Sequence, residues 1–294
     1  MSDITVVFGF DMETDIGSWS PYYTGVTEGT PKLLNLLADR EATATFFFTG
    51  EAARLHPEVV RSVDDAGHEV GCHALYHETV GDPLFEIPGV KPLLPEEVPF
   101  RLRVATEWVE ESLGRQPISF RCPRLWGSTA VCNALDELGY VADASYPLYF
   151  YGERLVPYHP SADDWTQEGD LSLIQIPNFC DMTVDSQDEY NRDRDQWPLF
   201  RNESADALME HINNFIGYVR ERELPVVLCF YFHPWEFMPM PAKLHYGEGA
   251  VEPDYFLIEN CGDYALEQLG ILVDRLQEQD ARFTTAEQLA AEWA

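Results

Sequence analysis

Short apolar runs alternate with amphipathic segments along the whole chain. Runs rich in β-branched and aromatic residues predict strands, and apolar residues at helical spacing predict helices. The predicted strands are ITVVFGFD, ATATFFFTG, HEVGCH, ISFRC, YVADAS, LSLIQI and VVLCFYF, and the predicted helices lie near 31–39, 51–66, 100–113, 130–138, 205–221 and 264–279. Because strands and helices alternate, the pattern indicates an α/β fold with a mainly parallel sheet covered by helices.

The chain shows no change of composition that would mark a second domain, so we expect residues 1–294 to form a single domain. Two stretches lack a regular pattern. Residues 79–99 contain five prolines, and residues 146–202 are rich in Tyr, Trp and Asp. We expect long surface loops around 79–99 and 146–202, and loops of this kind commonly cover a functional site.

The charge balance is strongly acidic, with 51 Asp and Glu against 19 Lys and Arg and a net charge of −32. Such a surface repels a phosphate backbone and an anionic membrane, so neither nucleic acid nor a membrane is expected as a partner. Self-repulsion of this size is screened by salt. We therefore interpret the surface as that of a halophilic protein from a salt-rich cytoplasm, the alternative being an ordinary acidic protein.

The cysteines and the N-terminal segment favour a soluble protein in a reducing compartment. The six cysteines show no CxxC spacing, which argues against a zinc ribbon and a disulfide framework. The segment MSDITVVFGFDMETD has no basic region before its apolar run, unlike a signal peptide. No apolar stretch approaches the roughly 20 residues of a membrane span. We expect a cytoplasmic protein, and a homo-oligomer is left open.

Acidic and histidine side chains follow two of the predicted strands, where barrel enzymes place their active sites. Asp11 and Glu13 close the first strand and share one face of an extended chain, although they could simply be solvated. His73 and His77 follow the third strand and would lie one turn apart if the chain were helical there. Two histidines and a carboxylate are typical of a catalytic zinc site, with iron for oxygen chemistry as the alternative.

Three further polar residues end later strands. Arg121 lies in FRCPR, Asp143 follows YVA, and His233 follows VVLCFYF. Each has a simpler interpretation, since an arginine often lies on the surface and a histidine can be a hydrogen-bonded core residue. Their order along the chain is more informative than any one of them.

In that order the motifs resemble those of the polysaccharide deacetylase family (carbohydrate esterase family 4, the NodB-homology domain). FGFDME is similar to the first motif in its DxD/E variant, and ATATFFFTG with HPEVVRSVDDAGHEVGCHALYH to the second. FRCPRLWG resembles the third motif, and YVADAS the fourth, where the family more often has two serines after the Asp. LCFYFHPWEF is similar to the fifth in an HPWE version, and CGDYALEQLGILVDRLQEQDARFTTAEQL to the closing segment. The resemblance covers essentially the whole chain.

The resemblance implies a distorted (β/α)7-type barrel with its active site at the C-terminal ends of the strands. It also implies a hydrolase that removes N-acetyl groups from an N-acetylated sugar or glycan by means of metal-activated water. Glu13, His73 and His77 would hold the divalent metal, with zinc expected and Co, Mn, Ni or Fe as alternatives. Glu13 stands where the family more often has Asp, which leaves the identity of the metal open.

The catalytic roles are likewise implied by the resemblance. Asp11 would act as the general base, and Arg121 would orient it and keep it ionised. His233 would protonate the departing amine, with Asp143 supporting its cationic form.

The tryptophans of the loops and motifs favour a carbohydrate substrate, because aromatic faces stack on pyranose rings, although tryptophans also fill cores. Trp126 and Trp235 are the two that we expect to contact the substrate. The resemblance makes an N-acetylated carbohydrate the expected partner. Without an export signal, we expect a nucleotide-sugar, a lipid-linked glycan precursor or a glycoconjugate intermediate and not a finished cell wall. An allantoinase-like cyclic amide hydrolase on the same fold is the alternative function, and a non-catalytic carbohydrate-binding protein is a further one.

Overall fold

The computed structural model describes residues 3–294. Its strands are β1 (Ile4–Met12), β2 (Thr45–Phe48), β3 (Glu69–Cys72), β4 (Ser119–Phe120), β5 (Ala142–Pro147), β6 (Ile174–Asn178), β7 (Val226–Phe232), β8 (Leu244–Tyr246), β9 (Gly249–Val251) and β10 (Arg282–Thr284). Its α-helices are α1 (Thr30–Ala38), α2 (Gly50–Leu55), α3 (Pro57–Asp65), α4 (Val98–Leu113), α5 (Thr129–Glu137), α6 (Leu148–Tyr151), α7 (Leu199–Asn202), α8 (Ala205–Arg220), α9 (Tyr255–Ile258), α10 (Asp263–Glu278) and α11 (Ala286–Trp293).

The main sheet is parallel and curls into a half-barrel with helices outside it. Strand β7 pairs with β1, and the order continues through β2, β3, β4 and β5 to β6. Strand β10 lies beside the first half of β1, and β2 lies beside its second half. Between the two ends of the sheet, the Phe179 N–H donates to the Cys229 carbonyl at 3.1 Å. The predicted (β/α)7-type barrel is confirmed.

Alternate residues of β1 face two different apolar layers, as the period of a strand requires. Phe8 and Phe10 pack in the layer between the sheet and the helices. Val7 lies with Phe47 in the barrel interior, which α11 closes with Leu289. The inward face of β1 continues from Val7 through Gly9 to Asp11, so this face delivers the first carboxylate to the rim of the barrel.

Most predicted elements are present, with one clear break. The predicted helix over 51–66 is divided into α2 and α3 at His56, which has φ −128° and ψ 55°. Pro57 explains the division, because proline disfavours the helical conformation of the residue before it. The region around 79–99 is largely irregular, whereas the region 146–202 contains α6, β6 and α7.

The described residues include no helix that is long and apolar enough to cross a membrane. All six cysteines have free thiols, and Cys261 alone among them is not fully buried. The thiols are therefore packing groups in this structure, and none takes part in a disulfide.

Candidate active site

The polar residues singled out from the sequence meet at the carboxyl ends of the central strands. Parallel strands present these ends at one rim of a barrel, which is where barrel enzymes place their chemistry. Strand β1 supplies the carboxylates, the loop after β3 the two histidines, the end of β4 the arginine, and the end of β7 the last histidine. They are Asp11, Glu13, His73, His77, Arg121 and His233.

Glu13, His73 and His77 form a buried cluster whose ligand atoms all lie within 4.8 Å of one another. The Oε2 atom of Glu13 is 2.5 Å from His77 Nε2 and 3.4 Å from His73 Nε2. Glu13 Oε2 and His73 Nε2 are buried without a hydrogen-bond partner. Orphaned acceptors of this kind, in a set of two histidines and one carboxylate, fit a divalent cation with a coordination position left open.

The orientation of His73 is set by its backbone neighbour. Its Nδ1 lies 2.7 Å from the carbonyl oxygen of Arg121, which can only accept a hydrogen bond. His73 therefore carries its proton on Nδ1 and presents the lone pair of Nε2 to the cluster. A hydrogen bond of this kind on the outer nitrogen is the usual support of a metal-binding histidine.

The two histidines do not lie on a helix, so the condition under which they would be one helical turn apart is not met. The segment from His73 to His77 is a turn in which Ala74 has φ 61° and His77 has φ 60°. Two non-glycine residues in the left-handed region are a strained arrangement of the kind that clusters at functional sites. The turn brings the imidazole centroids to 5.3 Å from each other.

The ionisation of the cluster suits a cation. Burial by itself raises the pKa of Glu13, but the neighbouring His77, His73 and His233 together hold it well below its usual value. Burial lowers the pKa of His77 despite the opposing effect of Glu13. Each shift is in the direction of the form that binds metals, the anionic carboxylate for Glu13 and the neutral imidazole for His77.

Asp11 is held by a fully buried arginine. The Nη1 atom of Arg121 donates to Asp11 Oδ1 at 3.0 Å, and its other nitrogens donate to the carbonyl oxygens of Ala144 at 3.1 Å and Phe230 at 3.0 Å. The second carboxylate oxygen, Asp11 Oδ2, lies 4.0 Å from His73 Nε2. The alternative of a surface arginine is therefore wrong, because Arg121 lies inside the barrel.

Gly9 makes room for this arginine. A Cβ atom at Gly9 would lie 2.1 Å from Arg121 Nη1, which is far inside van der Waals contact. On its other side the guanidinium carbon lies 4.5 Å from the centroid of the Phe47 ring. Glycine on β1 and the flat aromatic face on β2 thus form the slot in which Arg121 reaches Asp11.

His233 is paired with Glu236. Its Nδ1 lies 3.0 Å from Glu236 Oε1, which also accepts from the His233 backbone N–H at 2.9 Å and from Trp197 Nε1 at 3.0 Å. Arg201 Nε donates to the other oxygen, Oε2, at 2.6 Å, and both members of this ion pair are fully buried. Burial lowers the pKa of His233, but Glu236 and the carboxylates of Glu13 and Asp11 raise it to a net value above its ordinary one.

The expectation that Asp143 supports His233 is wrong. Asp143 accepts hydrogen bonds from Ser145 Oγ and Gln175 Nε2, and its Oδ2 lies 3.9 Å from the Cys132 thiol on α5. Its neighbours Ala142 and Ala144 face the barrel interior, so Asp143 points to the opposite face of β5. Burial raises the pKa of this carboxyl to about 7, against the lowering effect of its hydrogen bonds.

The cluster opens into a pocket of about 200 Å³ with three tryptophans in its wall, Trp19, Trp197 and Trp235. Trp235 lines this pocket and stacks on His233 with 5.2 Å between the ring centroids, and its contact with a substrate stays a prediction. Trp126 is only 1% exposed and packs edge-on against Phe85 at 5.1 Å. The expected contact of Trp126 with a ligand is therefore wrong, because its ring lies behind the pocket wall.

Several residues of the site were missed by sequence reasoning. Glu236 carried a signal, since it lies three residues after His233 in HPWE and could cap the turn that follows the strand. Arg201 and Trp19 carried none, because neither lies in a motif or at the end of a predicted strand. Arg124, which also lines the pocket, lies within FRCPRLWG but was not singled out there, and Arg192 comes from the stretch 146–202 that was expected to be a loop.

Comparison with known proteins finds that the first half of the chain is similar to polysaccharide deacetylases. Residues 3–142 match the family model described as polysaccharide deacetylase. A peptidoglycan-N-acetylglucosamine deacetylase of Bacillus cereus is 28% identical over 145 residues, 49% of this chain and 58% of that protein. A chitooligosaccharide deacetylase of Azorhizobium caulinodans is 29% identical over 111 residues, 37% of this chain and 48% of that protein. The chain thus spans about half the length of these curated relatives.

Solved structures share the fold over nearly the full length. A probable polysaccharide deacetylase from Pseudomonas aeruginosa superposes with a TM-score of 0.65 at 15% identity, over 99% of this chain and 91% of that one. An allantoinase superposes with a TM-score of 0.64 at 15% identity, over 99% and 90% of the two chains. At these identities the likeness concerns the fold alone.

Proposed function

We propose that this protein is a metal-dependent hydrolase that removes N-acetyl groups from an N-acetylated sugar or glycan. The observation that carries the proposal is the buried cluster of Glu13, His73 and His77 with its unpartnered ligand atoms, placed beside an Asp–Arg pair and a His–Glu pair. A divalent cation held there would supply the positive charge that acidifies a water molecule and polarises the amide carbonyl.

Asp11 has the position of a general base. Arg121 binds its Oδ1, so the Oδ2 oxygen beside the metal ligands is left to take a proton from the attacking water. The guanidinium favours the charged form of the carboxylate and fixes its plane. Asp11 then holds that proton on the side of the metal cluster while the amide bond is broken.

His233 has the position of the general acid. Glu236 accepts a hydrogen bond from the Nδ1–H of His233, which leaves Nε2 directed toward the cluster, 3.9 Å from Glu13 Oε1. The raised pKa of His233 favours a protonated ring near neutral pH, and Nε2 can deliver this proton to the nitrogen of the departing amine. Glu236 is a positioning residue, because it acts through His233 and is itself fully buried.

A carbohydrate substrate is supported by the aromatic wall and by the relatives. Trp19 is 47% exposed at the mouth of the pocket, where its face can stack on a pyranose ring. The relatives are named as deacetylases of peptidoglycan and of chitooligosaccharides. We propose zinc as the metal, since two histidines and one carboxylate are a common set in catalytic zinc sites.

We also propose a salt-rich, reducing cytoplasm as the setting of the enzyme. The net charge of −32 supports adaptation to salt, and six free thiols support a reducing compartment. Nucleic acid and anionic membranes are not proposed as partners, because the same charge repels both.

Acetate release from N-acetylhexosamine derivatives tests the proposed function. We expect the purified protein to release acetate, to lose this activity with a chelator, and to regain it with a stoichiometric divalent ion. Metal content is measured on the same samples. Full activity of the metal-free protein would contradict the metal-dependent mechanism. Ring opening of allantoin without acetate release from any sugar would favour the cyclic amide hydrolase.

A further inference from the structure

We propose that the substrate carries an anionic group, a carboxylate or a phosphate, which Arg124 and Arg192 bind on the pocket wall. The proposal rests on the deacetylase function and adds to it a class of substrate, an acidic N-acetylated sugar. Both arginines line the same pocket as the metal cluster. A carboxylate and a phosphate are recognised in the same way, because the N–H groups of a guanidinium donate in pairs to the oxygen atoms of either group.

Arg124 is a half-buried cation whose bonds are all to neutral groups. Its Nη2 donates to Ser18 Oγ at 2.8 Å, and its Nη1 lies 3.4 Å from the His77 carbonyl oxygen and 3.3 Å from Thr79 Oγ1. No carboxylate of residues 3–294 forms an ion pair with it, although the chain has 51 acidic residues against 19 Lys and Arg. Glu13 interacts with this charge only at longer range, so a desolvated guanidinium without a direct ion pair is costly, and an anionic ligand would reduce that cost.

The backbone of Arg124 points to the same conclusion. Arg124 has φ 61° and the following Leu125 has φ 59°, so two successive non-glycine residues adopt the left-handed conformation. Such a conformation is unfavourable and persists where the surroundings impose it, often at ligand sites. Here it places the guanidinium beside His77, within reach of a sugar whose amide lies at the metal cluster.

Arg192 lies farther along the same wall. Its guanidinium carbon is 5.4 Å from the Phe85 ring centroid and 5.9 Å from that of Tyr149. Its nearest carboxylate is Asp195, at 3.8 Å, which also accepts a hydrogen bond from Tyr231. The long distance leaves donors of Arg192 available while Asp195 holds the side chain in place.

The two arginines are joined by a continuous row of aromatic rings. The Arg124 guanidinium lies 5.7 Å from the Trp126 ring, which packs edge-on against Phe85, and Phe85 carries Arg192. The other carboxylates of the pocket are already engaged, Asp11 by Arg121 and Glu13 by the histidines. A neutral sugar would use the aromatic faces but would leave Arg124 bonded to neutral groups and Arg192 with the long 3.8 Å contact to Asp195.

The test compares neutral and acidic substrates with the metal-loaded enzyme at one ionic strength. The neutral substrate is a methyl glycoside of N-acetylglucosamine, the carboxylate is N-acetylmuramic acid, and the phosphate is N-acetylglucosamine 1-phosphate. We expect kcat/KM for one acidic substrate to exceed the neutral one by about tenfold or more, the scale of one charged contact. The acidic substrate with the higher kcat/KM shows whether the two arginines bind a carboxylate or a phosphate. Arg124→Gln and Arg192→Gln should each reduce this preference, mainly through KM.

Arg103→Gln is the matched control, because Arg103 is an exposed arginine on α4, outside the pocket wall. It should leave the preference unchanged. Arg192→Gln guards against a folding defect in Arg124→Gln, since it lies away from the turn of the metal ligands. Equal kcat/KM for all three substrates, or a preference that survives both pocket variants, would overturn the proposal.

Binding of the same compounds, measured by calorimetry, separates this proposal from the function itself. If no sugar is deacetylated but the wild type binds an acidic sugar more tightly than the neutral one, the deacetylase function fails and the anion site stands. If acetate is released and neither acidic sugar binds more tightly, the function stands and the anion site fails. If neither acidic sugar binds at all, the anion site fails whatever the activity.

Discussion

The Nδ1 atom of His233 lies 3.0 Å from Oε1 of Glu236, a carboxylate that Arg201 holds from the opposite side at 2.6 Å. The pair is local in sequence, since the two residues are separated by Pro234 and Trp235. The arginine that completes it comes from the distant helix α7. The carboxylate that supports the candidate acid, Glu236, thus lies in the same loop as His233.

Glu236→Gln should lower kcat by about 10² or more, because it weakens the general acid. Glu236 raises the pKa of His233, so its neutralisation lowers that pKa. The acid must be protonated to act, and the alkaline limb of the kcat profile should therefore move to lower pH. The measurement is kcat against pH, with metal content and melting temperature recorded, because Arg201 loses its ion-pair partner.

Asp143→Asn is the control for that variant, since Asp143 faces the opposite side of β5 and does not contact His233. It should leave the alkaline limb where it is in the wild type. A shift of this limb in Asp143→Asn and none in Glu236→Gln would return the supporting role to Asp143.

Asp11 and Glu13 should respond differently to loss of charge. Asp11→Asn removes the proton acceptor and keeps the three metal ligands, so turnover should fall by about 10² or more with metal content near that of the wild type. Glu13→Gln weakens a ligand, so metal content should fall first, and added metal should restore part of the activity. Metal analysis and kinetics on both variants check this. An empty site in Asp11→Asn beside a loaded, slow Glu13→Gln would mean that the two roles are exchanged.

Gly9→Ala should displace Arg121 and impair the site without touching a metal ligand. The added Cβ would meet Arg121 Nη1 at 2.1 Å, and overpacking of this kind typically costs about 1–3 kcal/mol of unfolding free energy. The value of kcat/KM should also fall, because the displaced Arg121 no longer orients Asp11. Urea unfolding and kcat/KM are the measurements.

Gly217→Ala is the matched control. Gly217 lies on α8 with no atom within 4 Å of an added Cβ, and alanine in an exposed helical position stabilises by about 0.5–1 kcal/mol. It should raise the unfolding free energy and leave kcat/KM as in the wild type. If Gly9→Ala and Gly217→Ala had the same unfolding free energy and the same kcat/KM, the slot at Gly9 would not constrain Arg121.

Low salt should destabilise the protein, and molar KCl should protect it. The net charge of −32 repels itself, and salt shortens the range of that repulsion from about 10 Å at 0.1 M to about 3 Å at 1 M. Melting temperature is measured from low to molar KCl, with sucrose as an uncharged control. A melting temperature that does not change with KCl would contradict adaptation to salt.

The sequence determined the alternation of strands and helices, because apolar periodicity reports directly which elements can bury a face. It also determined that Asp11 shares the inward face of β1 with Gly9 and Val7, since the period of a strand allows no other arrangement. The motif residues Glu13, His73, His77, Arg121 and His233 were all recognisable, and the structure brings them together at one rim.

Only the tertiary structure decided which partners those residues have. Asp143 follows its strand as the motif order suggests, but the face of β5 on which it lies directs it to Gln175 and the α5 side. Arg124 and Arg192 reach one wall because Phe85 and Trp126 pack between their separate loops. Periodicity describes faces within one element, whereas a contact between distant loops depends on packing that no local pattern contains.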